Sequence, residues 1–119
     1  MSLLDRIKKI ESPESVVTVE GIKYRCVGKS GLDASNIATT AEATNKKRKG
    51  QGLKRLSLDY FYLAECVAEF TDGETLTAEE WASVPRKHTA QLVVEVMRLN
   101  GLDDEDIERD PKESSTTET

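Results

Sequence analysis

Alternating apolar residues near the amino terminus predict a β-hairpin. The alternation comprises Val17, Val19, Ile22, Tyr24 and Cys26. β-Branched and aromatic side chains suit a pleated surface, and Gly21 supplies the positive φ that a tight turn between two strands requires. The sequence therefore predicts a hairpin over about 16–27. Because two strands alone are marginally stable in water, this hairpin must pack against further structure.

Apolar residues spaced three and four positions apart predict helices in the rest of the chain. A short helix is predicted over 3–10, a weaker one over 32–45 and the strongest over 53–70, where an apolar stripe runs along one face. Thr77 and Glu80 form a capping box before a short helical segment. Pro85 is suited to the start of the last helix, which Asn100 and Gly101 end.

These elements indicate an α+β fold that is mainly α-helical, with the hairpin followed by a small helical bundle. The length of 119 residues allows one domain, predicted over 1–102. Residues 103–119 hold eight acids and two bases, a formal net charge of −6, whereas the preceding residues have a net charge of +1. Because this acidic tail has no apolar face, we predict that it is disordered.

The residues that could carry catalysis or bind a metal are few. His88 is the only histidine, and its position one turn after Pro85 predicts an exposed polar residue. Cys26 and Cys66 do not form a C-x-x-C motif and make a poor zinc set. No apolar run marks a signal peptide or a membrane span, so we expect reduced thiols in a cytoplasmic protein. We expect neither an enzyme nor a cofactor-binding protein.

A basic cluster interrupts the chain between the second and third predicted helices. It comprises Lys46, Lys47, Arg48, Lys49, Lys54 and Arg55. Gly50 and Gly52 lie within it, so the sequence predicts a mobile loop over about 45–52. Six bases in ten residues fit nucleic acid phosphates. The nearly neutral body and the lack of interleaved aromatic residues instead favour an acidic protein partner or the chain's own tail.

Aromatic residues indicate where a partner binds. Tyr60, Phe61 and Tyr62 are consecutive on a predicted helix, so they point in directions about 100° apart and a small core cannot easily bury all three. We therefore expect at least one to be exposed or to lie in an interface. Trp81 fits either the core, which is favoured, or a partner anchor. The candidate partner-binding residues are Tyr60, Phe61, Tyr62, Trp81, Val93 and Met97.

The order of features over 53–102 resembles the tail assembly chaperones of long-tailed bacteriophages. In that family an aromatic helix precedes an Asp-Gly turn, a threonine-capped segment with a tryptophan and a helix that ends in Leu-Asn-Gly. Here these features read YFYLAECVAE, FTDGETL, TAEEWASVP and LVVEVMRLNGL. The strand-glycine-strand pattern VVTVEGIKYRCVG is also similar to the start of these proteins.

The resemblance implies a non-catalytic protein of the host cytoplasm that is absent from the mature virion. Such chaperones bind the tape measure protein, keep it soluble and help to recruit tail tube subunits. The alternatives are a small nucleic-acid-binding regulator that uses the basic cluster, and a structural connector or adaptor subunit of the phage. A homo-oligomer is possible, and the hairpin edge could pair within a chain or between chains.

Overall fold

The computed structural model describes residues 2–8 and 13–102 as a helical layer packed on a small sheet. The helices are α1 (Leu3–Lys8), α2 (Gly31–Gly50), α3 (Leu58–Cys66), α4 (Ala78–Ser83) and α5 (Arg86–Leu99). The strands are β1 (Glu14–Val19), β2 (Ile22–Val27) and β3 (Val67–Glu69), in the sheet order β1-β2-β3. The predicted mainly helical α+β fold with an amino-terminal hairpin is confirmed. The acidic tail over 103–119 lies outside the described residues.

The hairpin forms where the alternating pattern predicts it. Strands β1 and β2 are antiparallel, and Val19 pairs with Ile22 across the turn. Both turn residues have positive φ, 49° at Glu20 and 85° at Gly21, as a two-residue turn between twisted strands requires. On the inner face, Val19 and Tyr24 are buried among the core residues.

A third strand completes the sheet, and it was not predicted. The sequence predicted a helix over 53–70, which is wrong at both ends because α3 begins after its cap Ser57 and stops at Cys66. Val67 is extended, and β3 pairs antiparallel with β2, with Val67 opposite Cys26. A two-stranded hairpin needs a third strand or a helix for stability, and β-branched Val67 suits a strand better than a helix.

The basic cluster lies largely on α2, so the prediction of a mobile loop over 45–52 is wrong. Helix α2 continues to Gly50, and Gln51 and Gly52 form the turn that follows. Lysine and arginine are good helix formers. In the last turn, Lys47, Arg48 and Lys49 also lie where the helix dipole favours positive charge.

A buried amide holds the segment that follows α2 in place. Asn45 is 5% exposed, and its Oδ1 accepts a hydrogen bond from the Leu56 N–H at 2.8 Å. Its Nδ2 donates to the Leu56 carbonyl at 3.0 Å. One side chain thus satisfies both polar groups of a buried peptide position, which would otherwise be costly to bury.

The core lies between the sheet, α3, α4 and α5. Its largest fully buried side chains include Trp81, Leu63, Leu92, Val67 and Val96. The predicted capping box starts α4: the Glu80 N–H donates to the Thr77 hydroxyl, and the Thr77 N–H donates to the Glu80 carboxylate. Helix α5 follows directly, because Pro85 occupies its N-cap.

The end of α5 is fixed next to the start of α2. The Asn100 Oδ1 accepts a hydrogen bond from the Lys29 N–H at 2.8 Å, two residues before α2 begins. The Leu102 N–H donates to the Met97 carbonyl at 2.8 Å, so Leu102 folds back on the helix as predicted. The approach is close: a Cβ atom on Gly28 would lie 2.6 Å from the Leu99 carbonyl oxygen. The chain therefore leaves the domain near the amino terminus of α2.

Candidate functional site

Most of the candidate partner-binding residues belong to the core. Phe61, Tyr62, Trp81, Val93 and Met97 are each at most 7% exposed, and Tyr60 is half-buried. This burial agrees with the core position favoured for Trp81. It argues against an exposed docking surface at Phe61, Tyr62, Val93 and Met97, whose part in partner binding stays a prediction. The side chains of the three consecutive aromatic residues can be buried although they point in different directions, because α3 packs against α2, α4 and α5.

A groove opens between α2, α3 and the segment before α4, and we call it the α2–α3 groove. It has a volume of about 390 Å³. Its apolar lining consists of Ile37, Phe61, Ala64, Leu76 and Ala78. Its polar lining consists of Thr40, Thr44, Thr75, Thr77, Glu65 and Glu79. Of the candidate partner-binding residues, Phe61 alone lines this groove.

Arg48 connects the two sides of the α2–α3 groove. Its Nη1 donates to the Glu79 carboxylate on α4 at 3.0 Å, and its Nε donates to the Lys54 carbonyl at 2.8 Å. The Arg48 side chain is only 15% exposed. It therefore fixes the end of α2 relative to α4, and it is not part of a free basic surface as the sequence suggested.

The other bases of the cluster form a surface that we call the basic end. It comprises Lys46, Lys47, Lys49, Lys54 and Arg55, all of them exposed. Among the residues that the structure describes, no carboxylate lies within 4 Å of their charged nitrogens. Three of these bases project from the last turns of a regular helix, so their charge is concentrated at the carboxyl end of α2.

His88 joins the hairpin to α5 instead of lying exposed as predicted. Its Nε2 lies 2.6 Å from the Tyr24 hydroxyl, and its Nδ1 lies 3.0 Å from the Glu20 carboxylate. The imidazole is 12% exposed. Both ring nitrogens are occupied, so the ring clamps the hairpin turn against the first turn of α5. Sequence reasoning missed this network because Tyr24 and His88 are 64 positions apart.

The two cysteine thiols have low reactivity. Cys26 and Cys66 are free and buried. Burial, with smaller contributions from nearby Glu95 and Cys66, raises the pKa of the Cys26 thiol to about 11. Burial also raises the pKa of Cys66, although a hydrogen bond from Asn100 opposes the shift. Thiols with raised pKa values are poor nucleophiles. Over 2–8 and 13–102, His, Cys, Asp and Glu form no group of three that could hold a metal ion.

Glu95 connects α5 to β1, and this contact should make stability depend on pH. A hydrogen bond from Arg98 and, with a smaller effect, one from the Ser15 hydroxyl lower the pKa of Glu95 from its usual 4.5 to about 2. A depressed carboxyl pKa stabilises the fold above the unfolded-state pKa, and this stabilisation is lost as the pH falls towards the folded-state pKa. We expect Glu95→Gln to be less stable than the wild type at neutral pH.

The difference in unfolding free energy between the wild type and Glu95→Gln should shrink as the pH falls from about 4.5 to about 2. Urea denaturation across this pH range measures it. Glu42→Gln, an exposed change on α2, is the matched control and should give a constant, small difference. A Glu95→Gln difference that does not change with pH would contradict this assignment.

None of the described helices is long and apolar enough to cross a membrane. Comparison with protein-family models finds no match to the chain, and comparisons with curated proteins and with solved structures find none either. Support for a function therefore comes from the chain's own residues and from the order of its sequence features.

Proposed function

We propose that this protein is a phage tail assembly chaperone that holds an apolar helical segment of the tape measure protein in the α2–α3 groove. The observation that carries the proposal is the groove itself, whose apolar lining includes Ile37 and Phe61, 4% and 5% exposed, and the half-buried Leu76. Its volume of about 390 Å³ lies within the range of about 300–1,000 Å³ that is usual for binding pockets. The resemblance in sequence order supplies the identity of the partner.

The lining of the groove suits a helix that presents apolar side chains on one face. Amphipathic helices bind in grooves through anchors spaced three and four residues apart, and apolar lining receives such anchors. Four threonines around the apolar lining can hydrogen-bond polar groups at the edge of the bound helix. Glu65 and Glu79 would favour basic residues at its flanks.

Helix α1 offers a second apolar surface. Leu3, Leu4 and Ile7 are 64%, 59% and 51% exposed and share one face of this helix. Exposed apolar residues that cluster in this way mark interaction surfaces more often than isolated ones do. A long helical partner that contacts many copies of the chain gains from multivalency, so each groove needs only modest affinity.

The remaining parts of the proposal follow from the resemblance. The protein would act in the host cytoplasm without catalysis, would help to recruit tail tube subunits and would be absent from the mature virion. A structural connector or adaptor subunit would instead persist in purified particles, so analysis of virion composition separates these two functions.

Co-expression with the tape measure protein encoded nearby tests the proposal. We expect this chain to keep the tape measure protein soluble and to co-purify with it in several copies. Thr40→Arg places a long charged side chain in the groove from an exposed position on α2. It should therefore lower the amount of tape measure protein that co-purifies at least about tenfold.

Thr39→Arg is the matched control, because Thr39 is exposed on the same helix and does not line the groove. Equal loss in both variants would place the binding surface elsewhere. An insoluble tape measure protein and no complex with the wild-type chain would refute the chaperone function.

A further inference from the structure

The basic end and Leu102, the last residue that the structure describes, lie towards opposite ends of α2. Helix α2 has 20 residues, which corresponds to a length of about 30 Å. Asn100 is hydrogen-bonded to Lys29 just before this helix begins, so the chain leaves Leu102 near its amino terminus. Lys46 to Lys49 lie about 23–27 Å further along the same helix. The last described residue and the basic end are therefore separated by most of the length of α2.

The basic end is a positively charged surface that the described carboxylates do not neutralise. Its five exposed bases, Lys46, Lys47, Lys49, Lys54 and Arg55, have no carboxylate within 4 Å among the described residues. Like charges this close repel one another, and a bound polyanion would relieve that repulsion. The most acidic segment available on this chain is 103–119, with a formal net charge of −6.

The tail of the same chain is poorly placed to supply that charge. A fully extended chain spans about 3.4 Å per residue, so the four acids at 103–106 reach at most about 14 Å from Leu102. The basic end is farther away than this. Residues 107–119, which could reach it, hold four acids and two bases, a formal net charge of only −2. A second molecule has no such tether, so its whole tail can approach.

We propose that copies of this chain associate head to tail, with the acidic tail of one copy bound to the basic end of the next. Such a contact is heterologous, because it joins two different surfaces, so it generates open chains or closed rings. It depends on charge, and salt weakens it. It uses neither the α2–α3 groove nor the tape measure protein, so it stands independently of the chaperone function.

Measurement of molecular mass by light scattering over a range of protein and salt concentrations tests this association. At about 10 mM salt, where the Debye length is about 30 Å, we expect the mass to rise with protein concentration above that of the monomer. At about 1 M salt, where the Debye length is about 3 Å, the protein should be monomeric. The double variant Lys46→Glu/Lys47→Glu should weaken self-association at least about tenfold.

Arg86→Glu/Lys87→Glu is the matched control. It makes the same charge change at two adjacent exposed residues in the first turn of α5. This control should associate as the wild type does. Far-UV circular dichroism of each variant confirms that a change in mass is not caused by unfolding.

Complementation identifies the two surfaces. The tail variant Asp103→Asn/Asp104→Asn/Asp106→Asn should likewise weaken self-association at low salt. Mixed with Lys46→Glu/Lys47→Glu, it should form a heterodimer, because one variant keeps the tail and the other keeps the basic end. A structural defect common to both variants would not be repaired by mixing.

Several outcomes would overturn the proposal. A wild-type protein that is monomeric at low salt, or an association that survives both sets of substitutions, would do so. Tail-dependent chemical shifts at residues 46–55 in a protein that stays monomeric would place the tail on its own chain. Salt-sensitive DNA binding by a monomer, lost in Lys46→Glu/Lys47→Glu, would assign the basic end to nucleic acid.

Discussion

Replacing Asn45 with alanine is expected to lower the free energy of unfolding by about 3 kcal/mol. The reason is that the Asn45 amide is the partner of both the N–H and the carbonyl of Leu56, and Leu56 is 8% exposed. Removing the amide leaves two backbone groups without a partner, each at a cost of about 1–3 kcal/mol if water does not replace it. In a domain of this size, we expect the melting temperature to fall by roughly 10 °C or more.

Urea denaturation followed by circular dichroism measures this loss. Asn36→Ala is the matched control, because Asn36 is exposed on the same helix and alanine has the higher helix propensity. It should be neutral or slightly stabilising. Asn45→Asp keeps an acceptor for the Leu56 N–H, loses the donor and buries a charge, so it should also be strongly destabilising. Equal stabilities for Asn45→Ala and Asn36→Ala would show that the amide contributes nothing.

Asn45 also shows why the end of α2 could not be predicted from the sequence. Asn45, four bases and Gly50 together are typical of a loop when only neighbouring residues are considered. What continues the helix is a contact with Leu56, 11 positions away, and an ion pair between Arg48 and Glu79, 31 positions away. Local propensity does not reveal such partners, so tertiary contacts overrule it.

The elements predicted correctly are those whose signals are local. The hairpin turn at Glu20 and Gly21 and the capping box from Thr77 to Glu80 depend on residues no more than three positions apart. Strand β3 depends instead on backbone groups of β2 that lie about 40 positions earlier in the chain. An apolar run of its length fits a helix or a strand equally well, which is why periodicity alone assigned Val67 to a helix.

The same distinction applies to the candidate sites. The sequence shows that Tyr60, Phe61, Tyr62 and Trp81 are large and apolar, but not which of them the rest of the chain covers. The α2–α3 groove combines residues from three separate segments, so no motif marks it. The basic cluster was visible from composition, and five of its six bases are exposed as a binding surface requires. Charge runs are thus easier to locate from the sequence than apolar grooves.

The two proposed surfaces differ in a way that allows separate tests. The α2–α3 groove is lined largely by apolar and hydroxyl groups, so binding there should depend less on salt than binding at the basic end does. The basic end contains charged groups exposed to solvent, and binding there should be steeply salt-dependent. Thr40→Arg and Lys46→Glu/Lys47→Glu should therefore each weaken one activity and leave the other unchanged.

Replacing Trp81 with alanine is expected to destabilise the domain by about 3–5 kcal/mol. Trp81 is 2% exposed and is the largest fully buried side chain in the described core. It contacts Tyr24 in a tilted aromatic pair with a centroid distance of 6.0 Å. Since domains are stable by only about 5–15 kcal/mol, this loss would leave a substantial unfolded fraction at physiological temperature. Denaturation followed by far-UV circular dichroism measures it, because the change removes the sole tryptophan.

Trp81→Phe separates packing from hydrogen bonding. The Trp81 Nε1 is buried and has no hydrogen-bond partner within the described part of the chain, so phenylalanine loses volume but no hydrogen bond. It should cost clearly less than alanine, about 1–2 kcal/mol. Phe70→Ala is the control for loss of an aromatic ring at the surface, since Phe70 is 38% exposed beneath the cationic groups of Lys23 and Arg25. Its cost should be about 1 kcal/mol or less. If Trp81→Phe lowered the free energy of unfolding as much as Trp81→Ala, this would instead indicate that the indole N–H has a partner, such as bound water.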